Sequence, residues 1–159
     1  MIQAIRETNF IAYIETEASR INTSVASTQI RHLMKFTNDL DGAVFYAYAK
    51  AETIHERYTE LSFTYNLAPG VFSGKLNLIP AGYFKYEAYE VSWLGAVLVG
   101  IGTAPRNENE VLPVSPANGV VEGLVAIGKL YLAEKAGSEE VQYTEYEAPA
   151  STNTIYYGQ

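Results

Sequence analysis

Apolar and polar residues alternate along most of this chain, and a period of two predicts β-strands. In residues 29–37 (QIRHLMKFT) one face carries Ile30, His32, Met34 and Phe36, while Arg31 and Lys35 lie on the other. The segments that show such a pattern, or a short apolar run between turn residues, are 9–15, 29–37, 43–49, 58–66, 74–79, 83–92 and 124–133. Short strands separated by turns in this way predict an all-β fold of two antiparallel sheets packed face to face.

The turn at residues 38–42 (NDLDG) is the clearest local signal. An Asp-Gly pair between two strand-like runs is typical of a hairpin. The oxygen-bearing side chains also suggest calcium, but the Glu that a calcium loop carries after its Gly is missing: residues 47–49 are Ala, Tyr and Ala. A hairpin turn is therefore expected. Residues 47–57 (AYAKAETIHER) contain many good helix formers, so a short helix there is the alternative to a strand.

Two segments do not follow the strand pattern. Residues 93–121 form a long Gly- and Pro-rich insertion before the last strand, and loops beyond about 12–15 residues usually carry function or structure of their own. We expect a partial hairpin there, with residues 97–102 within one arm. We assign residues 1–147 to the β-sandwich domain and residues 148–159 to an extended C-terminal arm.

Composition and charge narrow the function classes. With 159 residues, 48% of them apolar and 18% charged, the chain suits one globular domain and not a disordered protein. A net charge of −7 disfavours direct binding to nucleic acid, and the absence of cysteine excludes disulfides and thiol chemistry. The start of the chain lacks a secretory signal, and the most apolar run, residues 94–101, is too short to span a bilayer. We expect a soluble protein that is made in the cytoplasm.

No group of residues has the spacing of a known catalytic or metal motif. His55-Glu56 begins like a zinc-protease motif, but Thr59 stands where the second His is required. Glu87 and Glu90 fall on opposite faces of one strand by parity, so they cannot flank one glycosidic bond. Nucleophilic-serine and phosphate-loop motifs are also missing. We therefore expect neither an enzyme nor a cofactor or metal site.

The remaining candidate for a functional site is a surface that binds a partner. Large apolar side chains outside the strand pattern must be buried somewhere, and a partner is one such place. The predicted interface residues are Trp93, Leu94, Val97, Val99 and Ile101 in the insertion and Ile155, Tyr156 and Tyr157 in the arm. The arm would then add to the sheet edge of a neighbour. The alternatives are that the insertion folds back onto its own sandwich, and that the arm pairs within its own chain or frays.

Residues 78–86 (LIPAGYFKY) resemble the turn between the fifth and sixth strands of immunoglobulin-like and fibronectin-like sandwiches. In those proteins a Gly turn leads into a strand with alternating aromatic residues and a corner tyrosine. Phe84 and Tyr86 share the inward parity with Ala88. The cysteine pair and core tryptophan of the family are absent at the family's positions, so the resemblance is architectural.

Residues 29–134, apart from the insertion, are also similar to small structural proteins of tailed bacteriophages, the crAss-like phages included. The similar motifs are FTNDLDGAVFYAYA, YTELSFTYN, PAGYFKYEAYEV and IGKLYLAE. This resemblance implies a non-enzymatic virion protein in a head–tail connector, ring or collar, tail or head-auxiliary position. Its partners would be copies of itself, as a homo-oligomer, and other virion proteins, with no direct contact to nucleic acid or membrane. The alternative function is a carbohydrate- or protein-binding β-sandwich module, with exposed tyrosines and Trp93 as the stacking residues.

Overall fold

The computed structural model describes residues 1–137, which form two β-sheets packed as a sandwich. The strands of this part of the chain are β1 (Ile2–Ile5), β2 (Phe10–Ile14), β3 (Ile30–Asn38), β4 (Val44–Tyr48), β5 (Ala51–Ile54), β6 (Thr59–Tyr65), β7 (Lys75–Leu76), β8 (Gly82–Ser92) and β9 (Val120–Ala133). The helical elements within residues 1–137 are two single 3-10 turns, Glu17–Ser19 and Ser27–Gln29. The all-β prediction is confirmed. The predicted arm, residues 148–159, lies outside the described residues.

The two sheets differ in size. The large sheet has the order β1-β9-β8-β3-β4, and the small sheet has the order β2-β6-β5, with the two-residue β7 beside β6. Most strand pairs are antiparallel, as predicted, but β1 runs parallel to β9 and β7 runs parallel to β6. The short connection from β1 carries the chain into the other sheet, so β1 cannot form a hairpin with β2. It takes the edge of β9 instead, where the Arg6 N–H donates to the Ala133 carbonyl at 2.8 Å.

The structure decides one alternative and corrects one local prediction. Residues 51–54 form a strand, because pairing with β6 outweighs the helix propensity of this segment. Residues 97–102 form no hairpin arm, since Thr103 and Ala104 both donate their N–H groups to the Gly100 carbonyl and close a turn there. β1 was not predicted at all, because a four-residue strand leaves too short a pattern to recognise.

The predicted hairpin at residues 38–42 is confirmed, and its side chains make the turn as expected. The Asn38 Oδ1 accepts the Leu40 N–H at 2.7 Å, and the Asp41 Oδ1 accepts the Ala43 N–H at 2.9 Å. Gly42 has a φ of 74°, which favours glycine. These carboxyl and amide oxygens therefore serve the backbone of the turn.

The inner core lies between the sheets and follows the predicted parity. Met34 and Phe36 of β3 are fully buried against Leu61 and Phe63 of β6 in one cluster. The Phe36 and Phe63 rings meet edge to face with centroids 5.8 Å apart. This packing is the main apolar contact between the two layers.

The large sheet is also covered on its outer face, the face that points away from the small sheet. Leu33, Tyr48, Val91 and Trp93 are buried there in a second cluster together with Ala104 of the insertion. The insertion therefore forms a third layer. Its prediction as a separate hairpin fails because its apolar side chains fold back onto the sheet from which it emerges.

Trp93 is the centre of this third layer. Its side chain is 0% exposed, and its Nε1–H donates to the Thr103 carbonyl at 3.2 Å. Gly119 packs directly on the indole: a Cβ at this position would lie 2.7 Å from the ring. The Gly119 N–H also donates to the Thr103 carbonyl. Trp93, at the start of the insertion, and Gly119, near its end, therefore bind the same carbonyl group.

Candidate docking surface

The insertion covers only part of the outer face of the large sheet. Toward β9 and β1, a set of apolar side chains that share this face by strand register stays open to solvent. We call this set the exposed sheet face. It consists of Ile5, Tyr83, Leu124, Ile127 and Tyr131, which are between 38% and 57% exposed.

An aromatic pair and a cationic pair lie next to each other on this face. Tyr83 of β8 and Tyr131 of β9 are register partners, with ring centroids 5.0 Å apart and planes inclined by 44°. The next outward-facing pair is Lys85 and Lys129. The Lys129 Nζ donates to the Asp39 carboxylate at 2.5 Å, and the Lys85 Nζ donates to the Glu87 carboxylate at 3.1 Å.

A hydrogen-bonded cluster fixes the insertion to the sheet beside this face. The Glu108 carboxylate accepts hydrogen bonds from the Lys35 Nζ at 2.5 Å and from the Tyr46 hydroxyl at 2.6 Å. Glu87 of β8 lies 3.8 Å from the same Lys35 Nζ. Glu108 of the insertion therefore links β3 and β4, and Glu87 of β8 lies next to the same lysine.

The electrostatics of the cluster follow from these contacts. The hydrogen bond with Glu108 raises the pKa of Lys35 above its ordinary value. Burial, followed by the hydrogen bond to Glu108, raises the pKa of Tyr46 to about 12. Burial opposes ionisation of Glu108, but the hydrogen bonds from Lys35 and Tyr46 outweigh it, so the pKa of Glu108 is lowered. At neutral pH the cluster holds an ammonium, a carboxylate and a neutral phenol.

Acid should weaken this anchor. Because the pKa of Glu108 is lower in the folded chain than its ordinary value of about 4.5, the contribution of its ionised form to stability is complete above that value and is lost as the pH falls through the folded pKa. Glu108→Gln should remove this acid-dependent part and lower the free energy of unfolding at pH 7 by about 1–2 kcal/mol. Urea unfolding at pH 7 and pH 3, followed by tryptophan fluorescence, measures both. An equal loss at the two pH values would contradict the assigned role.

The apolar residues predicted for an interface divide into two groups. Trp93 is buried within its own chain, and Val97 and Val99 pack partly buried against the same cluster, as the fold-back alternative anticipates. Leu94 and Ile101 are 71% and 79% exposed, so their interface role stays a prediction. Ile155, Tyr156 and Tyr157 lie outside the described residues.

Sequence reasoning missed the exposed sheet face itself. Register shifts in the β8–β9 pair, next to Ala88 and Glu90, break the simple parity along both strands. The available signal was that residues 124–133 (LVAIGKLYLA) carry large apolar side chains at both parities. A strand of this kind has two apolar faces, and here the second face has no cover among residues 1–137.

A groove adjoins the exposed sheet face at the open side of the sandwich. It has a volume of about 550 Å³ and lies between the edge strands β1 and β2. Ile5 and Tyr131 belong both to its lining and to the exposed sheet face, and Asn9 and Phe10 line the opposite wall.

The two histidines lie apart and have separate partners. The His32 Nδ1 is 2.7 Å from the Glu52 Oε1 inside the sandwich, whereas His55 stacks on Tyr58 near the surface. Within residues 1–137 there is no group of three or more acidic or histidine side chains placed to hold a metal ion. The same residues contain no helix that is long and apolar enough to span a membrane.

Comparison of the chain with protein-family models, curated proteins and solved structures finds no match.

Proposed function

We propose that this chain is a non-enzymatic structural protein that acts by self-assembly or docking through the outer side of its large sheet. The observation that carries the proposal is the concentration of exposed apolar residues on that side. The exposed sheet face lies there, and so does the insertion, which adds five exposed aliphatic residues: Leu94, Leu98, Ile101, Val111 and Val114. Together they make up half of the exposed large apolar side chains of residues 1–137. A concentration of exposed apolar side chains on one side of a protein is typical of interaction sites.

The strand order supports an immunoglobulin-like version of the sandwich. The orders β9-β8-β3-β4 and β2-β6-β5 correspond to the G-F-C-C′ and B-E-D orders of immunoglobulin variable domains. Phe84 and Ala88 of β8 point inward, as they do in the resemblance at residues 78–86. The corner tyrosine is the part of that resemblance without support, since Tyr83 is 53% exposed.

The proposed biological setting is the virion of a tailed bacteriophage, in a connector, ring or collar, tail or head-auxiliary position. This part rests on the motif resemblance over residues 29–134. Repeated contacts between identical subunits multiply weak interactions, so a modest apolar face is enough for a closed ring. Other virion proteins would bind the same side or the exposed residues of the insertion.

A pair of matched double variants tests the role of the exposed sheet face. Ile127→Ser with Tyr131→Ser removes two of its side chains, whereas Ile11→Ser with Tyr13→Ser removes the same residue types from the outer surface of the small sheet. Ile11 and Tyr13 are 44% and 59% exposed, so the two variants lose similar surface. We expect the first variant to lose self-association by more than about tenfold and the second to match the wild type. Analytical ultracentrifugation measures both. Equal association of the two variants would contradict the proposal.

Carbohydrate binding is the second candidate function, and one surface feature favours it. Tyr13 and Tyr58 are exposed on the small sheet with ring centroids 5.7 Å apart. Trp93 cannot contribute, since it is buried. Glycan binding by the wild type that disappears with Tyr13→Ser would support this function over assembly.

A further inference from the structure

We infer that the exposed sheet face binds the C-terminal segment, residues 138–159, of a second copy of this chain. The inference rests on the proposed function and names the partner of that same surface. It is carried by the chemistry of the segment, the partly exposed lysines of the face, the length of the segment and the adjoining groove.

The composition of the segment complements the face. Residues 138–159 contain four tyrosines and four glutamates, and no lysine or arginine. The face presents apolar and aromatic side chains next to Lys85 and Lys129, both of which are partly exposed. An acidic, aromatic peptide satisfies both features at once, because its rings bury apolar surface and its carboxylates meet the ammonium groups.

The length of the segment lets it reach a second copy. β9 ends at Ala133, and Leu124, the far end of the face, lies nine residues back, or ~30 Å along the strand. Ile155 follows Ala133 by 22 residues, which span up to ~70 Å when extended. This reach covers the face of its own subunit and that of a neighbour, and the proposed self-assembly selects the neighbour.

The groove between β1 and β2 provides room for an aromatic side chain. Its volume of about 550 Å³ exceeds what one tyrosine occupies, and Tyr131 joins it to the face. The segment of the neighbour can therefore cover the face and place a ring in the groove. Because the face and the segment are different surfaces, the contact either closes a dimer in which two copies exchange their segments or continues from copy to copy as a ring or filament.

A complementation experiment with full-length chains tests the inference. The face variant carries Ile127→Ser and Tyr131→Ser; the segment variant carries Ile155→Ser, Tyr156→Ser and Tyr157→Ser. Each variant alone should lose self-association by more than about tenfold, since each lacks one half of the contact. An equimolar mixture should form a one-to-one complex, because the segment of the face variant can bind the intact face of the segment variant. Sedimentation velocity measures all three samples, and near-ultraviolet circular dichroism checks that both variants are folded.

The other outcomes separate the inference from the proposed function. If the segment variant assembles like the wild type while the face variant does not, the inference is overturned and the proposed function stands. If both variants are monomeric and the mixture stays monomeric, the segment does not bridge two copies, and the inference is again overturned. If the face variant assembles like the wild type, the proposed role of the face falls, and the inference falls with it.

Discussion

Replacing Trp93 with alanine is expected to lower the free energy of unfolding by about 3–5 kcal/mol, the range for a large aromatic side chain removed from a core. Trp93 has no exposed surface, and it packs among Leu33, Val91 and Gly119 between the large sheet and the insertion. Its removal leaves a cavity and also removes one of the two hydrogen bonds that the Thr103 carbonyl accepts, the other being from the Gly119 N–H. The insertion would lose its central contact while the inner core stays intact.

Urea unfolding followed by far-ultraviolet circular dichroism measures this change, because the variant has lost the only tryptophan of the chain. Leu94→Ala is the matched control: Leu94 is the next residue, and at 71% exposure its truncation should cost less than about 0.5 kcal/mol. A Trp93→Ala variant as stable as this control would show that the insertion does not depend on the indole.

Removing Glu52 is the second change with a large expected effect. The Oε2 of Glu52, on β5, accepts the backbone N–H of His32 at 3.1 Å. The Oε1 of Glu52 lies 2.7 Å from the Nδ1 of the His32 ring. Both side chains are only 2% exposed, so they join the two sheets by a polar contact inside the sandwich. Glu52→Ala leaves the His32 groups buried without this partner, which should cost about 3–5 kcal/mol. Chemical denaturation at pH 7 measures the loss.

Two further variants serve as controls for the loss of stability in Glu52→Ala. Glu60→Ala removes a carboxylate of the same sheet that is 37% exposed, and it should cost less than about 1 kcal/mol. Replacing both partners, as His32→Leu with Glu52→Leu, should recover part of the stability, because the imidazole is removed together with its partner and only the backbone N–H of residue 32 loses the Glu52 acceptor. A double variant no more stable than Glu52→Ala would mean that the pair stabilises the fold beyond satisfying its own polar groups.

The sequence predicts the strands best where one face of a strand is polar. β3 and the turn after it follow the expected parity and turn chemistry within one residue at each end. β5 could not be predicted in the same way, because Glu52 is a helix former whose position is set by a histidine 20 residues away. Contacts of this range are not contained in a local pattern of residues.

The candidate surface was harder to predict than the fold, for two physical reasons. Trp93 and Leu94 look alike in the sequence as large apolar residues of a long insertion, yet one is buried and the other is exposed. That difference depends on which side chain meets the cluster around Leu33 and Tyr48. In addition, the bulges in the β8–β9 pair change the parity that assigns Leu124 to a face.

The most direct test of the account is the native mass of the full-length wild-type protein in solution, measured by light scattering as a function of concentration. The account predicts a discrete oligomer built from subunits of 17.5 kDa, in an amount that increases with concentration. A monomer that persists up to about 1 mM, where a contact worth more than about 4 kcal/mol is already populated, would contradict it.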